Sequence, residues 1–174
     1  SYLINLSVFL RTQKVETILC GIGNKKSTVN EVFSDFYQIL VDDNPSNYKY
    51  IYGLFRKLRG LKLSTDTIIH AQRPDMLIPA IFLFRNTKFI CSLHGAHDKA
   101  VFDKKGFLTG LLYSFLQSIT FKFVDLLIAV DADTKEYYQN KYPFAKDKIK
   151  LIPIGVDTDK FYVMYKKSIR EKYG

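Results

Sequence analysis

The chain has 174 residues, 47% apolar and 25% charged, which is the size and balance of one soluble globular domain with a sizeable core; it contains no internal repeat or low-complexity segment. Its formal net charge of +9 points to an anionic partner (nucleic acid, an anionic membrane or a phosphorylated ligand) without choosing among them. Cys20 and Cys91 each lie in an apolar run, so they read as buried free thiols, and neither a disulfide framework nor a zinc ribbon is supported.

Tyr2 to Arg11 reads as a helix, with Leu3, Leu6 and Leu10 on one face. A strand over Glu16 to Ile22 ends at Gly23, and a polar loop covers Asn24 to Asn30. Phe36 to Val41 holds a strand, closed by an Asp42 to Pro45 turn. Tyr48 to Lys62 is a helix: Ile51, Leu54, Phe55, Leu58 and Leu61 share a face, and Lys49, Arg56, Lys57, Arg59 and Lys62 take much of the rest. Asp66 to Ala71 is a strand. Pro74 to Phe84 is an apolar helix, with Pro74 tolerated in its first turn and a bend or a second start expected at Pro79. Lys88 to Leu93 is a strand and Phe107 to Phe123 a largely apolar helix. The apolar region Phe107 to Val130 is interrupted by Gln117, Lys122 and Asp125, which argues against a membrane-spanning helix. A strand covers Leu126 to Val130. Asp133 caps the following helix, with Glu136 completing a capping box. Ile149 to Ile154 is the last strand, and Ser168 to Tyr173 starts one more helix.

Strands alternating with helices predict an α/β fold, a Rossmann-like parallel sheet with helices on both faces. In doubly wound folds a central strand and a Gly-rich turn come first, whereas this chain opens on a helix. The expectation is that a first strand is missing upstream. With no signal peptide evident, a cytoplasmic location is expected, with or without peripheral attachment to the membrane.

Ligands of open parallel sheets sit at the carboxyl ends of strands. Two such ends carry all three histidines: His70-Ala71-Gln72-Arg73-Pro74-Asp75, and His94-Gly95-Ala96-His97-Asp98. Consecutive strands usually lie side by side, so one cleft can gather them. An imidazole hydrogen-bonds a hydroxyl or phosphate oxygen without full charge. Arg73 suits an anionic or phosphate-bearing ligand. The plainer readings stay open: a strand-end core histidine for His94, helix-start residues for Arg73 and Asp75. His97 and Asp98 are too few and too close in sequence to specify a metal, and no metal site is assigned. A small hydrolase or epimerase using His94, His97 and Asp98 is a further reading.

The ordered series Ile69-His70-Ala71-Gln72, Leu93-His94-Gly95, Val124-Asp125-Leu126-Leu127-Ile128-Ala129-Val130 and Ile152-Pro153-Ile154-Gly155-Val156-Asp157, then Phe161, resembles the first domain of group-1 retaining glycosyltransferases of GT-B architecture. The resemblance covers the chain from Asp66 onward, with Ile154 where asparagine is commoner. It implies that residues 1–165 are the acceptor-side, N-terminal half of a GT-B enzyme and that residues 166–174 begin the link to a second domain, which holds most of the nucleotide. It implies sugar transfer from a nucleotide-sugar donor to a glycan, lipid-linked or small-molecule acceptor, with retention and without a cofactor. His94 would contact the donor catalytically, beside Gly95 and Gly155; His70, Arg73 and Asp75 would line the acceptor side. The basic helix Tyr48 to Lys62 has two readings, packed on the sheet or docked on an anionic membrane surface. Nucleic acid is not an expected partner, because the aromatics fall mostly at core spacing. The reading from another class is a non-catalytic α/β module docking on an anionic surface.

Overall fold

A computed structural model describes residues 2–22, 33, 35–40 and 47–155. The elements in chain order are α1 (Tyr2–Thr12), β1 (Ile18–Ile22), β2 (Asp35–Leu40), α2 (Asn47–Leu58), β3 (Ile68–Ala71), α3 (Pro74–Leu83), β4 (Lys88–Leu93), α4 (His97–Lys105), α5 (Phe107–Phe123), β5 (Leu126–Ala129), α6 (Ala132–Lys141), a 3₁₀ turn (Pro143–Lys148) and β6 (Ile149–Leu151). The loop Asn24–Asn30, the turn Asp42–Pro45, Val156 and Asp157, and the helix start Ser168–Tyr173 lie outside the described residues.

The alternation delivers the expected class: a four-stranded parallel sheet, order β3-β4-β5-β6, flanked by helices. β1 and β2 form a separate parallel pair. β4 and β5 are the most buried strands of this four-stranded sheet, as central parallel strands must be. Leu77 of α3, Leu93 of β4, Phe121 of α5, Leu127 of β5 and Tyr138 of α6 are fully buried between the layers. Phe121 sets its ring edge-on to Tyr138 and Tyr142, with centroids 5.6 and 5.1 Å apart. Cys91 is buried and Cys20 half-buried; both are free thiols.

Four local expectations change. α2 stops at Leu58, where the amides of Arg59, Gly60 and Leu61 turn back onto the carbonyls of Phe55, Lys57 and Leu58. Its Leu54 and Leu58 are buried in the core, so much of its apolar side is used inside the fold. α3 runs through Pro79 as one helix, so no second helix starts there. α6 is capped by Asp131 and not by Asp133: the Asp131 carboxylate accepts from the Thr134 amide at 2.6 Å and its hydroxyl at 2.8 Å. β6 ends at Leu151, although the Ile152 amide still donates to Ala129. α4 is a helix that periodicity does not announce, because HDKAVFDKK carries few apolar residues.

The α5 carboxyl end is held by Lys148, whose ammonium donates to the carbonyls of Phe121, Lys122 and Val124 at 3.3, 2.9 and 2.8 Å. At its other end α5 meets α4 closely. A Cβ on Gly110 would lie 2.2–2.7 Å from ring carbons of Phe102, so glycine is what lets that ring lie flat on the helix. Gly110→Ala should therefore cost about 1–3 kcal/mol in urea denaturation. Phe102→Ala made on top of it should cost less than Phe102→Ala alone, because the methyl then enters vacated space.

Candidate functional site

Strand alternation builds the site. His70 pairs in register with Ile90, two positions before Ser92. Side chains two apart share a face, so His70 and Gln72 leaving β3 project on the same side as Ser92 and His94 leaving β4. The contacts follow. His94 Nε2 lies 2.8 Å from Gln72 Oε1, Gln72 Nε2 lies 3.4 Å from His70 Nε2, and Ser92 Oγ lies 2.8 Å from the same His70 nitrogen. The amide fixes the direction of the chain. Its oxygen only accepts, so His94 Nε2 donates; its NH₂ only donates, so His70 Nε2 accepts from Gln72 and from Ser92. His70 is thus set as a neutral imidazole, and burial, with His94 as a nearby second imidazole, holds its pKa below the ordinary histidine value.

The turn after β4 is shaped by Gly95, whose φ of 87° favours glycine. The Gly95 carbonyl accepts from the Tyr138 hydroxyl at 3.2 Å and from the His97 amide at 3.0 Å, and the His97 amide also reaches Tyr138 Oη at 3.2 Å. One fully buried tyrosine of α6 thereby sets the loop that follows His94. Gly155 is different: it is exposed, its φ lies outside the left-handed range, and a Cβ there would meet open space. The backbone at that position does not itself demand glycine.

Arg73 and Asp75 are brought together as a pair. Arg73 is the extended residue before α3, and its guanidinium forks onto Asp75, Nε to Oδ1 at 3.1 Å and Nη2 to Oδ2 at 2.5 Å. Asp75 is buried in the first turn of α3, where the helix dipole favours a carboxylate. Burial lowers the Arg73 pKa, but the bond to Asp75 and its charge outweigh this and leave it raised. Two of the five guanidinium donors are committed to Asp75, and about a third of the side chain is exposed. Tyr113 of α5 stands with its hydroxyl 3.5 Å from Asp75 Oδ1. Gln72, Ser92 and Tyr113 are absent from the sequence-based set of site residues. The signal for the first two was available: they are the i+2 partners of His70 and the i−2 partner of His94 on adjacent strands.

His97 and Asp98 do not form a metal pair or an open catalytic pair. Asp98 is fully buried and faces the helices. It accepts from the hydroxyls of Tyr137 at 3.0 Å, Tyr142 at 3.3 Å and Ser114 at 3.5 Å, from the Lys99 amide at 3.0 Å, and from the Lys141 ammonium. Among the described residues no group of three His, Cys, Asp or Glu side chains is arranged to hold a metal ion. A groove of about 430 Å³ between residues 63–65 and 82–87 sits at the opposite end of α3 from Arg73 and Asp75.

A family model described as Glycosyltransferase Family 4 matches residues 1–160. No curated protein matches the chain.

Asp98→Ala should destabilise the fold by about 3–5 kcal/mol in urea denaturation, because it strands the buried donors around it. Lys141→Met should cost less, because the hydroxyls and the Lys99 amide still serve the carboxylate. Acid sensitivity provides a second check. Burial, with His94 and (for His97) Arg73 nearby, holds both the His70 and His97 pKa values below the ordinary one. The unfolded chain then binds protons first as the pH drops, so this stability is complete above about 6.5 and is lost progressively below it. Urea midpoints from pH 7.5 to 5 should fall with pH, and the combined His70→Gln and His97→Gln variant should show a flatter slope.

Proposed function

The chain belongs to glycosyltransferase family 4, and from that premise we propose that its parent protein moves a sugar from a nucleotide-sugar donor to a glycan, lipid-linked or small-molecule acceptor, with retention at the anomeric carbon. The observation that supports this reading most is the His94–Gln72–His70 chain at the carboxyl ends of two adjacent parallel strands. That is where an open α/β sheet binds ligands.

In this reading His94 is the residue that touches the donor. Its Nε2–H is committed to Gln72, which fixes the ring plane beside the strand end where a sugar hydroxyl or phosphate oxygen of the donor would be met. Gly95 lets the backbone turn away beside it, and Gly155 borders the same donor side. His70 orients Gln72, and the Arg73–Asp75 pair presents the acceptor side with a fixed guanidinium. Catalysis then rests on positioning and on stabilising the departing phosphate, with no protein nucleophile and no metal required. In a two-domain GT-B arrangement the nucleotide is held mostly by the second domain, so the assay uses the intact parent protein.

The test is turnover of a panel of nucleotide-sugars by the intact protein, with the anomeric configuration of the product read by NMR. His94→Ala should lower kcat on the order of 10²-fold or more with an unchanged melting curve. Gln72→Ala should fall between that variant and wild type, because it frees the ring without removing it. Near-normal turnover by a folded His94→Ala protein would reduce His94 to a structural residue. An inverted product would overturn the retaining assignment.

A further inference from the structure

Helix α5 has its polarity reversed. Its inward side buries Gly110, Gln117 and Thr120 together with Phe121. Its outward side carries Leu108, Leu111, Leu112, Phe115, Ile119 and Phe123, each between 39% and 79% exposed. With 3.6 residues per turn these six fall within about 120° of one face, a stripe about 25 Å long over 17 residues. A helix that faces only water shows the opposite pattern. Contiguous apolar patches of this extent mark contact surfaces. The helix does not span a bilayer: among the described residues no helix is long and apolar enough to cross a membrane.

Charge selects what covers the stripe. α5 contains no acidic residue. Exposed Lys104 and Lys105 stand just before it, and exposed Lys122 stands at its far end within the arc of the stripe. Asp103 and Asp125 flank the helix in sequence; Asp125 is engaged by the Phe89 amide at 2.8 Å. A second copy is a poor cover. Antiparallel pairing sets Lys122 of one copy against Lys104 and Lys105 of the other, and parallel pairing sets each lysine against itself. An anionic leaflet accepts all three, with their aliphatic stems lying along the apolar band. We propose that the outward face of α5 seats this protein on an anionic membrane leaflet, the helix lying in the plane of the headgroup boundary. The basic helix α2 is not the seat, because its Leu54 and Leu58 are already buried in the core. The inference stands apart from the transfer reaction and is tested without it.

The experiment is flotation of the intact protein with vesicles of phosphatidylcholine alone or mixed with phosphatidylglycerol. Binding is expected to the mixed vesicles and to be lost at high salt. The Leu108→Gln, Leu112→Gln, Phe115→Gln variant should not bind. The Lys104→Gln, Lys105→Gln, Lys122→Gln variant should bind roughly a hundredfold more weakly. Replacing Arg56, Lys57, Arg59 and Lys62 with Gln should leave binding unchanged. The 174 residues contain no tryptophan, so Leu112→Trp adds a reporter at the centre of the stripe, expected to be quenched by brominated lipid on otherwise intact protein. The proposal is overturned by absent flotation, by an unquenched Leu112→Trp, or by equal binding to phosphatidylcholine alone. It is equally overturned if the protein is a dimer in solution that the Leu-and-Phe variant converts to monomer, since a second copy then covers the stripe.

Discussion

The structure depends on one buried carboxylate. Asp98 has no exposed surface, and an ionised carboxylate in that position must be met from every side. Besides the Lys99 amide on its own helix, its donors come from three places: Ser114 on α5, Tyr137 and Lys141 on α6, and Tyr142 just after α6. Satisfying one charge therefore fixes how α4, α5 and α6 pack together. The Lys141 ammonium is partly shielded by the rings of Phe102, Tyr137 and Tyr142, with centroids 5.5, 5.6 and 5.8 Å away. Burial alone would depress the Lys141 pKa, but the bond to Asp98 outweighs it and the pKa stands above the ordinary lysine value. The lysine accordingly keeps its charge throughout the neutral range, and the stability that it contributes is lost as the pH rises through that raised value.

The site inherits its order from this arrangement. Tyr138 sits on the same helix as Tyr137 and Lys141, and its hydroxyl holds the Gly95–His97 turn. The residue that begins the turn is His94, whose ring is held by Gln72. His94 is thus located twice, by sheet register from below and by a helix hydroxyl from above. The Arg73–Asp75 pair is located once, at the start of α3, and meets α5 through the long contact from Tyr113.

The layers were legible in the sequence because each strand is a short apolar run and most helices have an apolar face. The order of histidines at two strand ends was equally legible, and the structure brings His70 and His94 into one hydrogen-bonded chain. Three things were not legible, for physical reasons. α4 has almost no apolar periodicity, since its main buried side chain is a charged one, Asp98. The α6 cap reads as Asp133 because Asp-x-x-Glu matches a known box, yet Asp131 has Thr134 at the same spacing, and Thr134 offers two donors to its carboxylate. The role of Asp98 was hidden because its side-chain partners lie 16 to 44 residues away, beyond any local pattern.

Helix α5 shows how these constraints reach the surface. Its inner side must accommodate Phe102 lying flat against Gly110 and must present Ser114 to Asp98, so that side is small and polar where a core helix would be apolar. Apart from Phe121, leucine and phenylalanine are therefore not needed inward, and polar residues outward would have served the isolated fold equally well. Their presence along the whole outer face is a feature the fold does not require of itself. Water does not stabilise it, and lysines stand at both ends. The inner side of the same helix carries Tyr113 to Asp75, so one helix joins the apolar outer face to the Arg73–Asp75 pair. Whatever the outer face rests on, the Arg73–Asp75 cluster is held at a fixed distance from it.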